Sequence, residues 1–133
     1  MLEVQELTKK NRKTTGADRM TFTVPPGNIG VLLGPNGAGK STVIKSIAGL
    51  LKYTGGIGIC RMPARSLEAK KVFAYVPEIP SMFPSLSVEE HLEYISRAYG
   101  LGDCREYMEE LLERFEMSDK RDKLGNELSK GMM

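Results

Sequence analysis

The run Gly34-Pro35-Asn36-Gly37-Ala38-Gly39-Lys40-Ser41 constrains this chain more than any other stretch. At every fixed position it fits the pattern of a glycine-rich turn, set between a strand and a helix, that cradles phosphate. The flanking segments have the matching periods. Ile29, Val31, Leu32 and Leu33 read as a short buried strand, and Val43, Ile44, Ile47, Ala48 and Leu51 fall at helical spacing over Thr42 to Leu51. A turn that opens a helix in this way aims successive backbone N–H groups, and the positive end of the helix dipole, at one point where an anion is favoured. The glycines let the backbone take dihedrals closed to other residues and approach the anion closely. In such a loop Lys40 would reach the β- and γ-phosphates of a nucleoside triphosphate, and the Ser41 hydroxyl would ligate Mg²⁺. Gly34, Pro35, Asn36, Gly37, Ala38, Gly39, Lys40, Ser41 and Thr42 are therefore the candidate phosphate-binding residues.

Other properties set milder bounds. The chain has 133 residues, one domain's worth, and a formal net charge of only +2. That balance gives no electrostatic argument for nucleic acid, and the basic run Lys9-Lys10-Asn11-Arg12-Lys13 reads as a solvated loop. Cys60 and Cys104 lie far apart with no CxxC spacing, which fits a reducing compartment rather than a zinc site or a disulfide framework. Glu3 and Glu6 interrupt the amino terminus where a signal peptide needs an apolar stretch, and no run approaches the roughly 18 apolar residues of a spanning helix. A soluble chain is expected, with any membrane role supplied by a partner.

Along the chain three regions emerge. Leu2, Val4 and Leu7, then Met20, Phe22 and Val24, then the segment before the phosphate loop read as strands, separated by the polar stretch Lys9 to Asp18 and by Pro25-Pro26-Gly27-Asn28. Beyond the loop helix, which stops within Gly49 to Gly56, Ile57 and Ile59 and then Val72, Phe73, Tyr75 and Val76 give two more candidate strands. Pro77, Pro80 and Pro84 break all regularity after them. The remainder is helical. Ser87 and Glu90 form a capping box ahead of Val88, Leu92, Ile95 and Tyr99, and Gly100 and Gly102 end that helix. Asp103 with Glu106 starts another, striped by Met108, Leu111, Leu112 and Phe115. Both stripes are expected to face a core.

Three motifs now stand in order, and together they resemble the ATP-binding cassette (ABC) family. The phosphate loop is the first. Tyr75-Val76-Pro77-Glu78 lies where that family carries its Q-loop, and Leu128-Ser129-Lys130-Gly131-Met132 looks like its LSGGQ signature. The resemblance implies an α/β fold: a P-loop nucleoside triphosphatase core, incomplete here, with an amino-terminal antiparallel β subdomain and a helical subdomain. We place the core with its β subdomain at residues 1–85 and the helical subdomain, ending at the signature, at 86–133. The implied function is that of the ATP-binding subunit of an ABC transporter, binding MgATP and hydrolysing it to drive transport through a transmembrane subunit. ATP and Mg²⁺ are the implied cofactors, and a cytoplasmic location peripheral to the membrane follows. The resemblance also implies a head-to-tail dimer with a second nucleotide-binding subunit. There Ser129, Lys130 and Gly131 of one subunit contact the γ-phosphate of the ATP held by the other. No nucleic-acid partner is implied.

The chain departs from the family pattern at several places. Glu78 stands where the family has glutamine; its carboxylate can ligate Mg²⁺ beside Ser41 or orient water in a catalytic role. Lys130 replaces the first of the two signature glycines and Met132 replaces glutamine. Asn11, with Lys10 and Arg12 beside it, occupies the position where the family stacks an aromatic ring on adenine, so weaker base recognition is expected, with Arg12 available for cation–π stacking. His91 reads as an ordinary helix residue. The Walker B strand, with its Mg²⁺-binding aspartate and catalytic glutamate, and the switch histidine have no positions up to Met133. An ATPase is thus implied for the full-length protein, and inactivity for these 133 residues by themselves. Two other classes share part of the pattern. A P-loop small-molecule kinase would need an arginine-bearing lid, for which Arg97 and Arg105 are the nearby candidates; a soluble ABC protein of the ribosome-associated type would share all three motifs. A non-hydrolysing nucleotide binder is a third reading.

Overall fold

The structure, a computed structural model, describes residues 1–10 and 15–133. Asn11 and Arg12, the residues at and beside the expected adenine position, lie outside the described residues. The chain folds as two compact units, Met1–Tyr75 and Val76–Met133.

The first unit is built on a four-stranded antiparallel sheet. Its strands β1 (Leu2–Lys10), β2 (Thr15–Val24), β3 (Thr54–Ile59) and β4 (Met62–Pro63) lie in the order β2-β1-β3-β4. Both described ends of the polar stretch read as a loop are strand, since β1 runs on to Lys10 and β2 begins at Thr15. Strict alternation along β1 would send Val4 and Leu7 to opposite faces. Both are nevertheless buried, Leu7 completely at 0% exposure. The cause is a bulge: Glu6 takes φ 49°, and the register slips between Val4 and Leu7. Threonine hydroxyls patch the disturbed ladder, Thr21 accepting from the Glu6 N–H at 3.0 Å and Thr8 from the Arg19 N–H at 2.9 Å. Val4, Leu7, Ile57 and Ile59 of the sheet then form one core with Val43 of helix α1 (Lys40–Ile47) and Ala69 of the short helix α2 (Leu67–Lys70).

Two expected strands are absent from the described residues. Ile29 to Leu33 forms no strand, leaving Ile29, Val31 and Leu33 exposed at 94%, 73% and 84%, with Leu32 packed against the core. Val72 to Val76 is likewise irregular, with Val72 and Val76 exposed. Both segments have the near-continuous apolar character of strands buried on two faces. Such strands need neighbours in a ladder, and neither segment is among the four strands of the antiparallel sheet.

The second unit is helical. Helix α3 (Val88–Ala98) begins with the expected capping box, the Ser87 hydroxyl accepting from the Glu90 N–H at 3.2 Å and the Glu90 carboxylate from the Ser87 N–H at 2.7 Å. It ends at Gly100, whose φ of 66° allows the Leu101 N–H to bond the Ser96 carbonyl. Helix α4 (Arg105–Arg114) starts two residues after Asp103, whose carboxylate accepts the Arg105 N–H at 3.1 Å. That bond, with the Arg105 guanidinium, holds the Asp103 carboxyl below its ordinary value. Val88, Leu112 and Leu128 are the buried centre of this unit. The two stripes are only partly inward: Ile95 and Phe115 are exposed. Arg121 links the helices, ion-paired to Glu109 of α4 and 3.8 Å from Glu89 of α3, and Glu109 raises its guanidinium above the ordinary value.

Helix α4 closes on a non-glycine residue in the left-handed region, Glu116 at φ 55°, with the Met117 N–H bonding the Leu112 carbonyl at 2.7 Å. A carboxylate at a helix carboxy terminus also opposes the helix dipole. Glu116→Gly is therefore expected to stabilise the chain by about 0.5–1 kcal/mol; the midpoint of urea unfolding, monitored by far-ultraviolet dichroism, should rise, and an unchanged or lower midpoint contradicts this account.

Candidate nucleotide-binding site

The phosphate-loop residues lie on the turn leading into α1. Gly37 and Gly39 have φ of 83° and 88°, and Gly39 occupies the position just ahead of the first helical residue. Gly39 is also the point of closest approach to the sheet. A Cβ built there would stand 1.8 Å from the carbonyl oxygen of Gly16 on β2, whereas one built on Gly37 meets nothing within 4 Å. At this point the loop meets β2 backbone to backbone. One turn on, Val43 is buried against the sheet, and the buried Ser46 hydroxyl donates to the Thr42 carbonyl at 2.8 Å.

Helix α1 begins without any side-chain cap and has no acidic residue in its first turn. The N–H groups of that turn, which lack intrahelical acceptors, are consequently not met by a protein carboxylate or hydroxyl at the cap. Within the loop, Ala38 N–H bonds the Pro35 carbonyl at 3.2 Å. The Lys40 ammonium donates to the carbonyls of Gly34 at 2.6 Å and Pro35 at 2.8 Å, so it is held over the loop rather than extended into solvent. Pro35, Asn36, Gly37, Ala38 and Ser41 are exposed, and Thr42 is half-buried. A cleft of about 360 Å³ runs beside the loop, bounded by Gly16 and Ala17 of β2, Leu32, Ala38, Lys40 and Val43. The arrangement presents a cation, a hydroxyl and uncapped helix N–H donors on one loop, a set suited to an anion with a bound divalent metal.

The other site residues lie in the second unit. Glu78 is exposed on the irregular stretch between Pro77 and Pro80. Leu128 is buried, while Ser129, Lys130 and Gly131 are exposed. The Ser129 carbonyl accepts the N–H groups of Met132 at 2.9 Å and Met133 at 3.2 Å, closing a turn over Lys130 to Met132. The sequence reading missed Gly16. Nothing local marks it, since a glycine in a polar stretch looks like any turn residue, and only the Thr42 side chain, which a Cβ built on Gly16 would meet at 2.9 Å, shows why a side chain is excluded there.

Comparison with known proteins fits this geometry. The family model described as "ABC transporter" matches residues 17–133. The chain belongs to the ABC transporter family. It is similar to the SkfA peptide export ATP-binding protein SkfE of Bacillus subtilis (strain 168), 34% identical across 98% of this chain and 56% of that protein. It is also similar to the Nod factor export ATP-binding protein I of Burkholderia thailandensis, 33% identical across 98% of this chain and 45% of that protein. A solved ATP-binding subunit of an ABC transporter superposes with a TM-score of 0.88 at 36% identity, covering 98% of this chain and 57% of that one. This ABC family chain thus spans about half the length of the curated relatives it matches. Among the described residues no helix is long and apolar enough to cross a membrane.

The Gly39 contact gives a direct test. Gly39→Ala places a methyl group on the Gly16 carbonyl and is expected to dislodge the loop, lowering ATP affinity by more than tenfold, the equivalent of about 1.4 kcal/mol. Gly37→Ala, with open space around it, should cost less. Calorimetric titration of both variants checks the order; equal effects would show that the backbone approach to β2 is unimportant.

Proposed function

We propose that this chain is the nucleotide-binding portion of an ABC transporter subunit, holding MgATP on the Gly34 to Thr42 loop and contributing Ser129, Lys130 and Gly131 to a second subunit's nucleotide. The observation that carries the reading is the uncapped start of α1 beside the Lys40 ammonium, which leaves N–H donors and a cation for the β- and γ-phosphates. The Ser41 hydroxyl would ligate the metal, and Glu78 is kept as a carboxylate for Mg²⁺ or for the attacking water on its chemistry alone. When bound, MgATP supplies a phosphoanhydride whose cleavage releases the free energy that drives transport. The loop's own contribution is to bind and orient the phosphates and to offset their charge.

The names of the relatives, both export ATP-binding proteins, support an exporter, and we infer that the chain acts with a membrane-embedded partner at the cytoplasmic face. The division of labour we infer gives residues 1–85 to phosphate binding and residues 86–133 to the partner subunit. The exposed turn that opens at Ser129, with its hydroxyl, supports a second anion contact, and pairing two subunits head to tail lets both half-sites act on one nucleotide. Binding would then close the pair and hydrolysis release it, a two-state switch driven by the ligand. In the complete protein this chemistry is an ATPase; residues 1–133 alone are proposed to bind nucleotide without turning it over.

A charge-assisted bond to phosphate contributes about 1.5–3 kcal/mol, so Lys40→Ala should weaken ATP binding at least tenfold. Ser41→Ala should remove mainly the Mg²⁺-dependent part. Titration with and without Mg²⁺ measures both, and full affinity in Lys40→Ala would end the assignment.

The signature has its own test. Ser129→Arg in the complete protein is expected to abolish ATP-promoted dimers, read by sedimentation, while leaving the single subunit's ATP affinity intact. Loss of that affinity instead would place Ser129 in its own subunit's site.

A further inference from the structure

We propose that His91 is a positioning residue for the signature: its neutral imidazole clamps the segment that follows Glu78 to the turn that leads into Ser129. The proposal rests on the reading of Ser129 as a phosphate contact in trans.

Both ring nitrogens of His91 are engaged, in opposite senses. Nδ1 lies 2.7 Å from the Ser87 carbonyl oxygen, which only accepts, so the proton sits on Nδ1. Nε2 is then the lone-pair nitrogen, and it accepts the Phe83 N–H at 2.9 Å. One side chain thereby ties the base of α3 to the proline-interrupted stretch, donating at one end and accepting at the other. The Phe83 ring stacks on the imidazole with centroids 5.9 Å apart, and Tyr94 of α3 meets Phe83 edge-on at 5.1 Å.

The same ring touches the path to the signature. Gly125 is buried so closely that a Cβ built on it would stand 3.3 Å from His91 Cε1 and 2.5 Å from the Phe83 carbonyl oxygen. Its N–H bonds the Leu86 carbonyl at 2.9 Å, and Leu124 pairs with Ser87 in an isolated antiparallel bridge. From this knot the short 3₁₀ turn Gly125–Glu127 leads straight to Leu128, buried against Val88 and Leu112, and so to Ser129. The place of Ser129 is therefore set by where Gly125 and Leu128 seat. Gly125 seats in a slot whose walls are the Met82 side chain, the imidazole and the Phe83 backbone that the imidazole holds. An apolar residue at position 91 could fill the volume but would leave the Phe83 N–H without its acceptor and free that wall to move. Gln can supply both a donor and an acceptor.

Two measurements test this. In hydrogen exchange on the 133-residue chain, His91→Leu should speed exchange at Phe83 and Gly125 about fivefold, the factor corresponding to one lost hydrogen bond, and leave α1 unchanged. His91→Gln should restore protection. In the complete protein, His91→Leu should weaken ATP-promoted dimerisation about fivefold, with the single subunit's ATP affinity unchanged and with rescue by His91→Gln. Unchanged exchange at Gly125 in His91→Leu, failure of His91→Gln to rescue, or an equal loss of ATP affinity in the single subunit would overturn the proposal. Dimerisation that responds to Ser129→Arg but not to His91→Leu overturns it alone. Dimerisation that responds to neither variant overturns the reading of Ser129 and this proposal with it.

Discussion

The seating of Gly39 against the Gly16 carbonyl is the contact on which the candidate site depends. It brings the residue ahead of α1 onto the β2 backbone, with the Thr42 side chain packed beside Gly16, and it fixes where the helix N–H groups and Lys40 stand relative to the sheet. A contact made by two backbones is stiff, because there is no rotamer to adjust, and its position is inherited from the sheet. The sheet in turn owes its buried face to the bulge at Glu6, which turns Leu7 inward beneath the helix. The route from sequence to site thus passes through two departures from regular structure, a bulged strand and a left-handed glycine. Each is tolerable because neighbouring groups absorb its cost.

The second unit is held together differently. Its buried centre is small, and much of its order comes from polar connections between the ends of its elements. The Val88 N–H bonds the Lys123 carbonyl at 3.0 Å and the Glu89 N–H the Arg121 carbonyl at 3.1 Å, so the start of α3 is met by the segment approaching the signature. Arg121 adds its pairing to Glu89 and Glu109. These ion pairs lie at the surface and individually contribute little, whereas the backbone bonds and the His91 clamp define geometry. The segments on either side of α3 and α4 are consequently one connected surface. That is the arrangement expected where two motifs far apart in sequence serve one function.

Much of this was legible in the residues. The phosphate loop and α1, the capping box of Ser87 and Glu90, the helix stop at Gly100 and the strands around Val4, Phe22 and Ile57 were all marked by local signals: spacing, capping chemistry and glycine. The misread segments share one cause. Ile29 to Leu33 and Val72 to Val76 have strand-like composition, and composition reports only that a segment would suit a buried strand; pairing is decided by neighbours. Ile95 and Phe115, read as core, are exposed for a related reason, since a helical stripe says which face is apolar but not how much of it another element covers. Gly16 and His91 were passed over because their roles arise from residues far along the chain, Gly39 for the first and Gly125 for the second.

What the sequence by itself determined is the chemistry on offer: a loop of glycines ending in lysine and serine, a signature-like run around Ser129, and a family to which both belong. These are properties of adjacent residues, whose spacing along the chain sets which groups can act together. What only the tertiary structure decided is where those groups are held. The Cβ-free approach of Gly39 to Gly16, the inward turn of Leu7 and the two opposed bonds of the His91 ring are each relations between distant positions, governed by sterics and hydrogen-bond direction that linear spacing does not encode.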